Sequence, residues 1–397
     1  MRAKGEGSIY KNANGRWVAQ YYNADKKRKT ISGKTRKEVQ QKLMRVLQEI
    51  DEGTYIDTPK VLLGLHVKDY MENYKRIEIQ RTTYDSYCEY LEKHFYGSSL
   101  EKEELSKVTV DKLQKYYNSK TRDGLSSRSV RYIHSILNGA FENARKRHLI
   151  KENPNKDVIL PRKVKKEICP PTVEEIKMLL GYFEDKQLYG LFRLYILNGL
   201  RRSEGLAIQK QDINWETGEI KLKYSIGYIR NDGIEKSKRK HISVVKEDMK
   251  NKTSQSSIYV DEETINALRA FTIWQATEKV HNIDIYHEQV LFMSSDNKFT
   301  RIDNDLLFTK ADGRIIAGRD VLDELHKALD VCGISKKRVH DLRHFFATQS
   351  MNLTGDIKLV SELCRHKHVS TTAEIYLHSD NSRKIEAQNK LVELIGA

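Results

Sequence analysis

Apolar positions near the start of the chain fall in short alternating runs and then switch to helical spacing. Ser8-Ile9-Tyr10 is followed by the turn signal Asn12-Ala13-Asn14-Gly15, and then by the run Trp17-Val18-Ala19-Gln20-Tyr21-Tyr22. A second turn at Asn23-Ala24-Asp25 leads into the basic run Lys27-Arg28-Lys29-Thr30-Ile31. Thr35 and Glu38 have capping-box spacing, and Val39, Leu43, Val46, Leu47 and Ile50 recur on one helical face. The pattern predicts a three-stranded sheet backed by one helix, a domain of residues 1–57.

Residues 58–152 read as helical. Tyr84, Tyr87, Cys88, Leu91 and Phe95 mark one amphipathic stretch. Val130, Ile133, Leu137, Phe141 and Ala144 mark a second, opened by the polar run Ser126-Ser127-Arg128-Ser129. The tyrosines here read as packing residues. Pro154, Pro161, Pro170 and Pro171 then fall close together among Arg162, Lys163, Lys165 and Lys166. Proline ends helices and stiffens extended chain, so 153–171 reads as a basic linker. From 172 to 397 the pattern is mixed: helices near 172–183 and 187–209, strands around 219–260, then helices. The polar stretches 246–257 and 294–305 read as loops.

Composition narrows what such a chain can do. At 397 residues, two to four domains are expected, and 39% hydrophobic residues suffice for their cores. The net charge is +15, and residues 1–45 alone hold thirteen Lys/Arg against three Asp/Glu. A protein this basic meets a polyanion, and nucleic acid is the commonest. The expected DNA contacts are Arg16, Trp17, Lys27, Arg28 and Lys29 on the N-terminal sheet, with Tyr21 interleaved, and Arg162 and Lys163 in the linker. A solvated basic face without a ligand is the plainer alternative. Cys88, Cys169, Cys332 and Cys364 are far apart, which fits a reducing cytoplasm and argues against a disulfide scaffold or zinc finger. The opening MRAKGEGSIY has no apolar h-region, and no run approaches a membrane span, so neither secretion nor a membrane is expected.

The chemistry-bearing residues lie in the last segment. Asn198-Gly199-Leu200-Arg201-Arg202-Ser203-Glu204 sets an arginine just past an apolar stretch, with a carboxylate three residues on. His340-Asp341-Leu342-Arg343-His344 puts an imidazole and a guanidinium on one helical face. His366 and Tyr376 follow within His366-Lys367-His368-Val369-Ser370-Thr371-Thr372-Ala373-Glu374-Ile375-Tyr376. Singly, each has a plain reading: Arg201 with Glu204 or His340 with Asp341 as structural pairs, or the histidines as metal ligands. The histidines lack a carboxylate cluster or an HExxH motif.

Together and in this order the pieces resemble the tyrosine recombinases, a family of site-specific DNA strand-exchange enzymes that includes phage and conjugative-transposon integrases. The family pattern is Gly-Leu-Arg-x-x-Glu, a hairpin lysine, His-x-x-Arg, a later His or Trp, and a tyrosine. Leu307-Phe308-Thr309 with Asp312-Gly313 supplies the usual upstream flank. The lysine has two candidates, Lys236 and Lys252. Lys252-Thr253-Ser254-Gln255-Ser256 keeps the family's Lys-Thr-x-x-Ser ahead of a strand and is the preferred one. Arg365 departs from the pattern, standing where the family usually has glycine before the late histidine.

The resemblance covers essentially the whole chain. It implies an arm-type DNA-binding domain, a helical core-binding (SAM-like) domain and a mixed α+β catalytic domain, mainly α with small β elements. It implies catalytic residues Arg201, Lys252, His340, Arg343, His366 and the nucleophile Tyr376, with neither cofactor nor metal. Implied partners are double-stranded DNA at core-type and arm-type sites, other subunits of a tetramer, and directionality (excisionase) or DNA-bending factors. The implied setting is the bacterial cytoplasm, on the nucleoid when DNA is bound. Residues after Ser382, with Ile385, Leu391, Leu394 and Ile395 apolar, read as a terminal helix that docks on its own domain or, as the resemblance implies, on a neighbouring subunit. A non-catalytic DNA-binding regulator, a metal-dependent transposase, and a chromosome-resolving or type IB topoisomerase-like enzyme are the alternatives.

Overall fold

The structure is a computed structural model, and it describes residues 8–23, 26–52, 55, 60–164, 169–235, 238–247, 257–376, 389 and 392. Lys236, Lys252 and all of the predicted terminal helix except Asn389 and Val392 lie outside the described residues. Of Tyr376, the backbone is described and the side chain is not. The chain divides into two compact units, Met1–Lys165 and Lys166–Ala397.

In the first unit, strands β1 (Ser8–Lys11), β2 (Trp17–Tyr22) and β3 (Arg28–Gly33) form an antiparallel sheet. Helix α1 (Arg36–Asp51) covers one face. Thr35 accepts from Glu38 N–H, while the Glu38 carboxylate reaches Lys34 N–H, one residue earlier than a full capping box. Strand parity divides the expected DNA-contact residues between the two faces of the sheet. Ala19 and Tyr21 are buried against Val39 and Leu43, and Trp17 and Ile31 pack on the same cluster. Trp17, and Lys29 by its position two residues before Ile31, therefore share the helix side of the sheet. The open face carries Tyr10, Gln20, Tyr22 and Arg28 instead, with Gln20 linking the Tyr10 hydroxyl to the Arg28 guanidinium. Arg16 and Lys27 are exposed at the turns.

The rest of that unit is helical: α2 (Leu63–Tyr70), one π turn (Met71–Lys75), α3 (Arg76–Glu78), α4 (Arg81–His94), α5 (Val110–Arg122) and α6 (Ser127–Lys146). The α6 positions read from periodicity are all fully buried, and Ser126 caps the helix by accepting from Ser129 N–H. The linker starts later than its prolines suggest. Asn155 is fully buried, accepts from the Tyr117 hydroxyl (2.7 Å), and exchanges hydrogen bonds with His134. Ile159 pairs with Gln114, and Arg131 donates twice to Pro161 O. Buried polar partners need this docking to be satisfied, so 153–161 belongs to the helical unit. Arg162 and Lys163 are exposed just beyond it.

The second unit is built on α7 (Val173–Phe183), α8 (Tyr189–Leu197), the short α9 (Arg202–Gly205), and the strands β4 (Glu219–Lys221), β5 (Tyr224–Arg230), β6 (His241–Glu247) and β7 (Ser257–Tyr259). There follow α10 (Glu262–His281), β8 (Gln289–Met293), β9 (Phe299–Asp303), α11 (Gly318–Val331), α12 (Val339–Thr354), α13 (Ile357–Leu363) and α14 (Val369–Tyr376). One apolar core joins α7, α8, α10, α11 and α12, with Phe183 stacked on Phe192. Strands β4 and β7 pair antiparallel, and the β5–β6 hairpin is inserted between them in sequence. A four-stranded sheet runs β5-β6-β8-β9.

Two sequence readings give way here. The supposed loop at 294–305 contains strand β9, an edge strand whose polar, exposed residues disguise it; Asn297 at φ 61° makes the β8–β9 turn. The single helix expected over 187–209 is broken. Gly199 adopts φ 58°, and a Cβ there would stand 2.3 Å from Phe346 Cδ1, so glycine alone fits. That break is what turns Arg201 out of the core.

Candidate active site

The site is assembled around the broken helix. Arg201 is the N-cap of α9, its N–H donating to Glu204 Oε2 (2.9 Å) and its guanidinium paired with Glu204 Oε1. Glu204 is 5% exposed. Burial works to raise its pKa, but Arg365, Arg201 and the Arg201 N–H outweigh it and hold the carboxyl below its ordinary value.

Arg343 comes from α12 and is 2% exposed. Its guanidinium donates to Gly199 O (2.6 Å) and to Cys364 O, and it has no carboxylate ion pair among the described residues. Burial, then Arg201 and Arg365, press its pKa down from the usual arginine value. Helix α12 is held in place by Asp341, which takes the Arg338 N–H (2.7 Å) and guanidinium. Asp341 thus pairs with Arg338, not with His340.

His340 opens α12 one turn before His344, whose ring meets it edge-on at 4.6 Å. The side chain is accessible at the surface, yet desolvation by the surrounding protein, then His344, Arg343 and Arg338, push it down to about 4. His366 follows α13, and its Nδ1 is 2.8 Å from the Thr372 hydroxyl on α14. Burial, then Arg343, Arg201, His340 and Arg365, lower it to about 4 as well. Both imidazoles are therefore neutral at physiological pH, able to accept a proton or share a hydrogen bond.

Four of the six expected catalytic residues, Arg201, His340, Arg343 and His366, are brought together. Tyr376 ends α14, four residues after the fully buried Thr372. The strand after Lys252, β7, returns against β4, and Tyr259 O accepts from Asn198 beside the arginine loop.

Sequence reading missed Arg365. It takes φ 52°, the left-handed region that costs an L residue about 1–2 kcal/mol. Glycine's freedom is thus needed where arginine stands. The side chain is not displaced to solvent but 5% exposed, donating to Leu363 O, Gly199 O and Glu204 Oε2. The signal was present as an arginine in a glycine position, but its burial was not legible. Thr372 was also missed as the partner of His366.

A buried guanidinium, Arg343, and a partly buried one, Arg201, beside two neutral imidazoles, with tyrosine ending the helix that carries the partner of His366, fit the family pattern. Residues 171–383 match the phage integrase family, and residues 63–159 match the phage integrase SAM-like domain. The chain belongs to the phage integrase family of tyrosine recombinases. It is a site-specific recombinase, an enzyme, with the expected multidomain fold. Among phage integrase relatives, the tyrosine recombinase XerC-like protein of Caldanaerobacter subterraneus subsp. tengcongensis is 26% identical over 373 residues, 92% of each chain. The Tn1549 transposon integrase, solved with transposon right end DNA, superposes with TM-score 0.63 at 17% identity over 85% of this chain and 100% of that one. A lambda integrase tetramer bound to a Holliday junction gives TM-score 0.54 at 15% identity, over 94% and 96%. No described helix is long and apolar enough to cross a membrane.

Proposed function

We propose that this integrase cuts and rejoins duplex DNA through a 3′-phosphotyrosyl link on Tyr376, integrating and excising a mobile element. The observation that carries the reading is Arg343: a guanidinium 2% exposed, with no carboxylate of its own, set beside Arg201. A buried charge without a counterion is costly, and an anion entering the site relieves that cost. Paired planar guanidiniums match the two non-bridging oxygens of a phosphodiester.

Chemistry then follows from the protonation states. Tyr376 Oη attacks phosphorus, and the P–O5′ bond breaks. A phenol has a pKa near 10, so it needs a base, and neutral His340 accepts its proton. Lys252 gives a proton to the departing O5′. His366 hydrogen-bonds a phosphate oxygen through Nε2–H, its Nδ1 occupied by Thr372. One ester replaces another, so the bond energy is kept for rejoining.

A lambda integrase tetramer solved on a Holliday junction supports assembly as a tetramer on DNA. The proposal adds core-type sites, arm-type sites on the N-terminal sheet, and directionality and DNA-bending factors as partners. The setting is the bacterial cytoplasm, on the nucleoid while DNA is bound. The test is covalent trapping on a nicked suicide substrate, resolved on a denaturing gel. Wild type is expected to give a covalent band, also in excess EDTA, and Tyr376→Phe to bind the same DNA without one. A covalent band from Tyr376→Phe would place the nucleophile elsewhere. Specific binding by wild type with no band at all would leave a DNA-binding regulator.

A further inference from the structure

One buried cation has no part in the reaction above. We propose that Arg365 is a positioning residue that saturates Glu204, so that Arg201 is left available to the scissile phosphate. The inference rests on the strand-transfer reading. Glu204 carries one negative charge and meets two guanidiniums: Arg201 on Oε1 and Arg365 on Oε2 (3.3 Å). With Arg201 alone, that pair would be neutral and the guanidinium closed on its own helix. With both, the pair of cations keeps one positive charge, and Arg343 adds a second.

The charge suits the reaction. A phosphodiester carries one negative charge, and attack by a deprotonated phenol brings a second into the transition state. Arg201 and Arg343, left uncompensated, meet it where charge develops, beside the cations that the proton transfers place on His340 and Lys252. Both nearby imidazoles are neutral in the free protein, so before any proton moves it is the arginines that receive the phosphate.

The backbone at 365 serves the same end. Consecutive carbonyls accept from the two clamp arginines: Cys364 O from Arg343, and Arg365 O from Arg201 Nη2 (3.1 Å). The Arg365 guanidinium also joins Arg343 on Gly199 O. Its Nε is buried with no hydrogen-bond partner among the described residues. A group kept there despite an unmet donor and a left-handed backbone is held by what its charge does.

The experiment measures single-turnover covalent trapping by the full-length protein. Arg365→Gly suits the backbone and removes the cation; it is expected to slow cleavage roughly 10- to 100-fold, with the half-saturating DNA concentration within about twofold of wild type. Arg365→Lys should retain more activity than Arg365→Gly. The deciding variant is Arg365→Gly/Glu204→Gln. Glutamine still accepts the Arg201 N–H but leaves no carboxylate to compete for its guanidinium, so the double variant should cleave about tenfold faster than Arg365→Gly. Losses that multiply, or Arg365→Gly cleaving like wild type, would overturn the inference. If Arg365→Gly does not fold, Arg365→Gln and Arg365→Gln/Glu204→Gln carry the same comparison. Wild type that binds but never traps would instead fell the strand-transfer reading itself.

Discussion

Gly199 and Phe346 stand so close that any Cβ on the first would meet the ring of the second at 2.3 Å. The contact seals the end of α8 against α12, the helix that carries His340 and Arg343. Gly199→Ala is expected to destabilise the protein by roughly 2–4 kcal/mol, combining left-handed strain with overpacking. Chemical denaturation measures it. Adding Phe346→Ala should recover the overpacking share and leave the strain, a non-additivity that an unrelated cause of instability would not produce.

Acidification should weaken the fold in a defined window. His340 and His366 titrate near 4 when folded and near 6.5 when unfolded. Between those values the unfolded chain binds protons that the folded one refuses. Their stabilising contribution is therefore whole above about pH 6.5 and is lost as pH falls toward 4. His66 and His344, also lowered chiefly by burial, add to the same slope. Melting temperatures at pH 7, 6 and 5 should fall in sequence, and His340→Gln/His366→Gln should flatten the fall. An unchanged slope in that variant would show that the two rings are not neutral in the folded state.

The choice between lysines is decided by chemistry at the leaving group. Lys252→Ala should slow cleavage by about a hundred- to ten-thousand-fold, the usual cost of a lost general acid, and Lys236→Ala far less. A 5′-thio substrate needs no proton on departure and should restore Lys252→Ala. Rescue of Lys236→Ala instead would make Lys236 the acid.

On the N-terminal sheet, parity separates packing from contact. Trp17→Ala should cost roughly 1–3 kcal/mol of stability, since the ring packs on the α1 core. Arg28→Ala and Tyr22→Ala should leave stability near wild type and weaken arm-site binding, with Arg28→Ala reducing the salt slope by about one. The reverse pattern in melting and titration experiments would return the contact face to Trp17.

How much of this was readable before folding depends on periodicity. The α6 face was plain because five apolar residues at helical spacing admit one buried side. Strand β2 was ambiguous because both of its faces carry aromatics, and only the docking of α1 decides between them. Strand β9 was invisible because an edge strand with polar residues has no apolar alternation to read. In the site, residue types and order pointed to Arg201, His340, Arg343 and His366, and the structure brings these four together. The role of Arg365 could not be seen, because its burial depends on Gly199 and Glu204, more than 160 positions away in sequence.

That separation has a consequence for the order of events as the protein is made. Arg343 can be buried only after Gly199 has arrived from 144 residues upstream and Cys364 from 21 downstream. Contacts of such range form late, whereas the helical unit, rich in local contacts and earlier in the chain, folds first during synthesis. A partly made molecule therefore has its helical unit folded before the arginine cluster exists. The cluster is reserved for the finished chain.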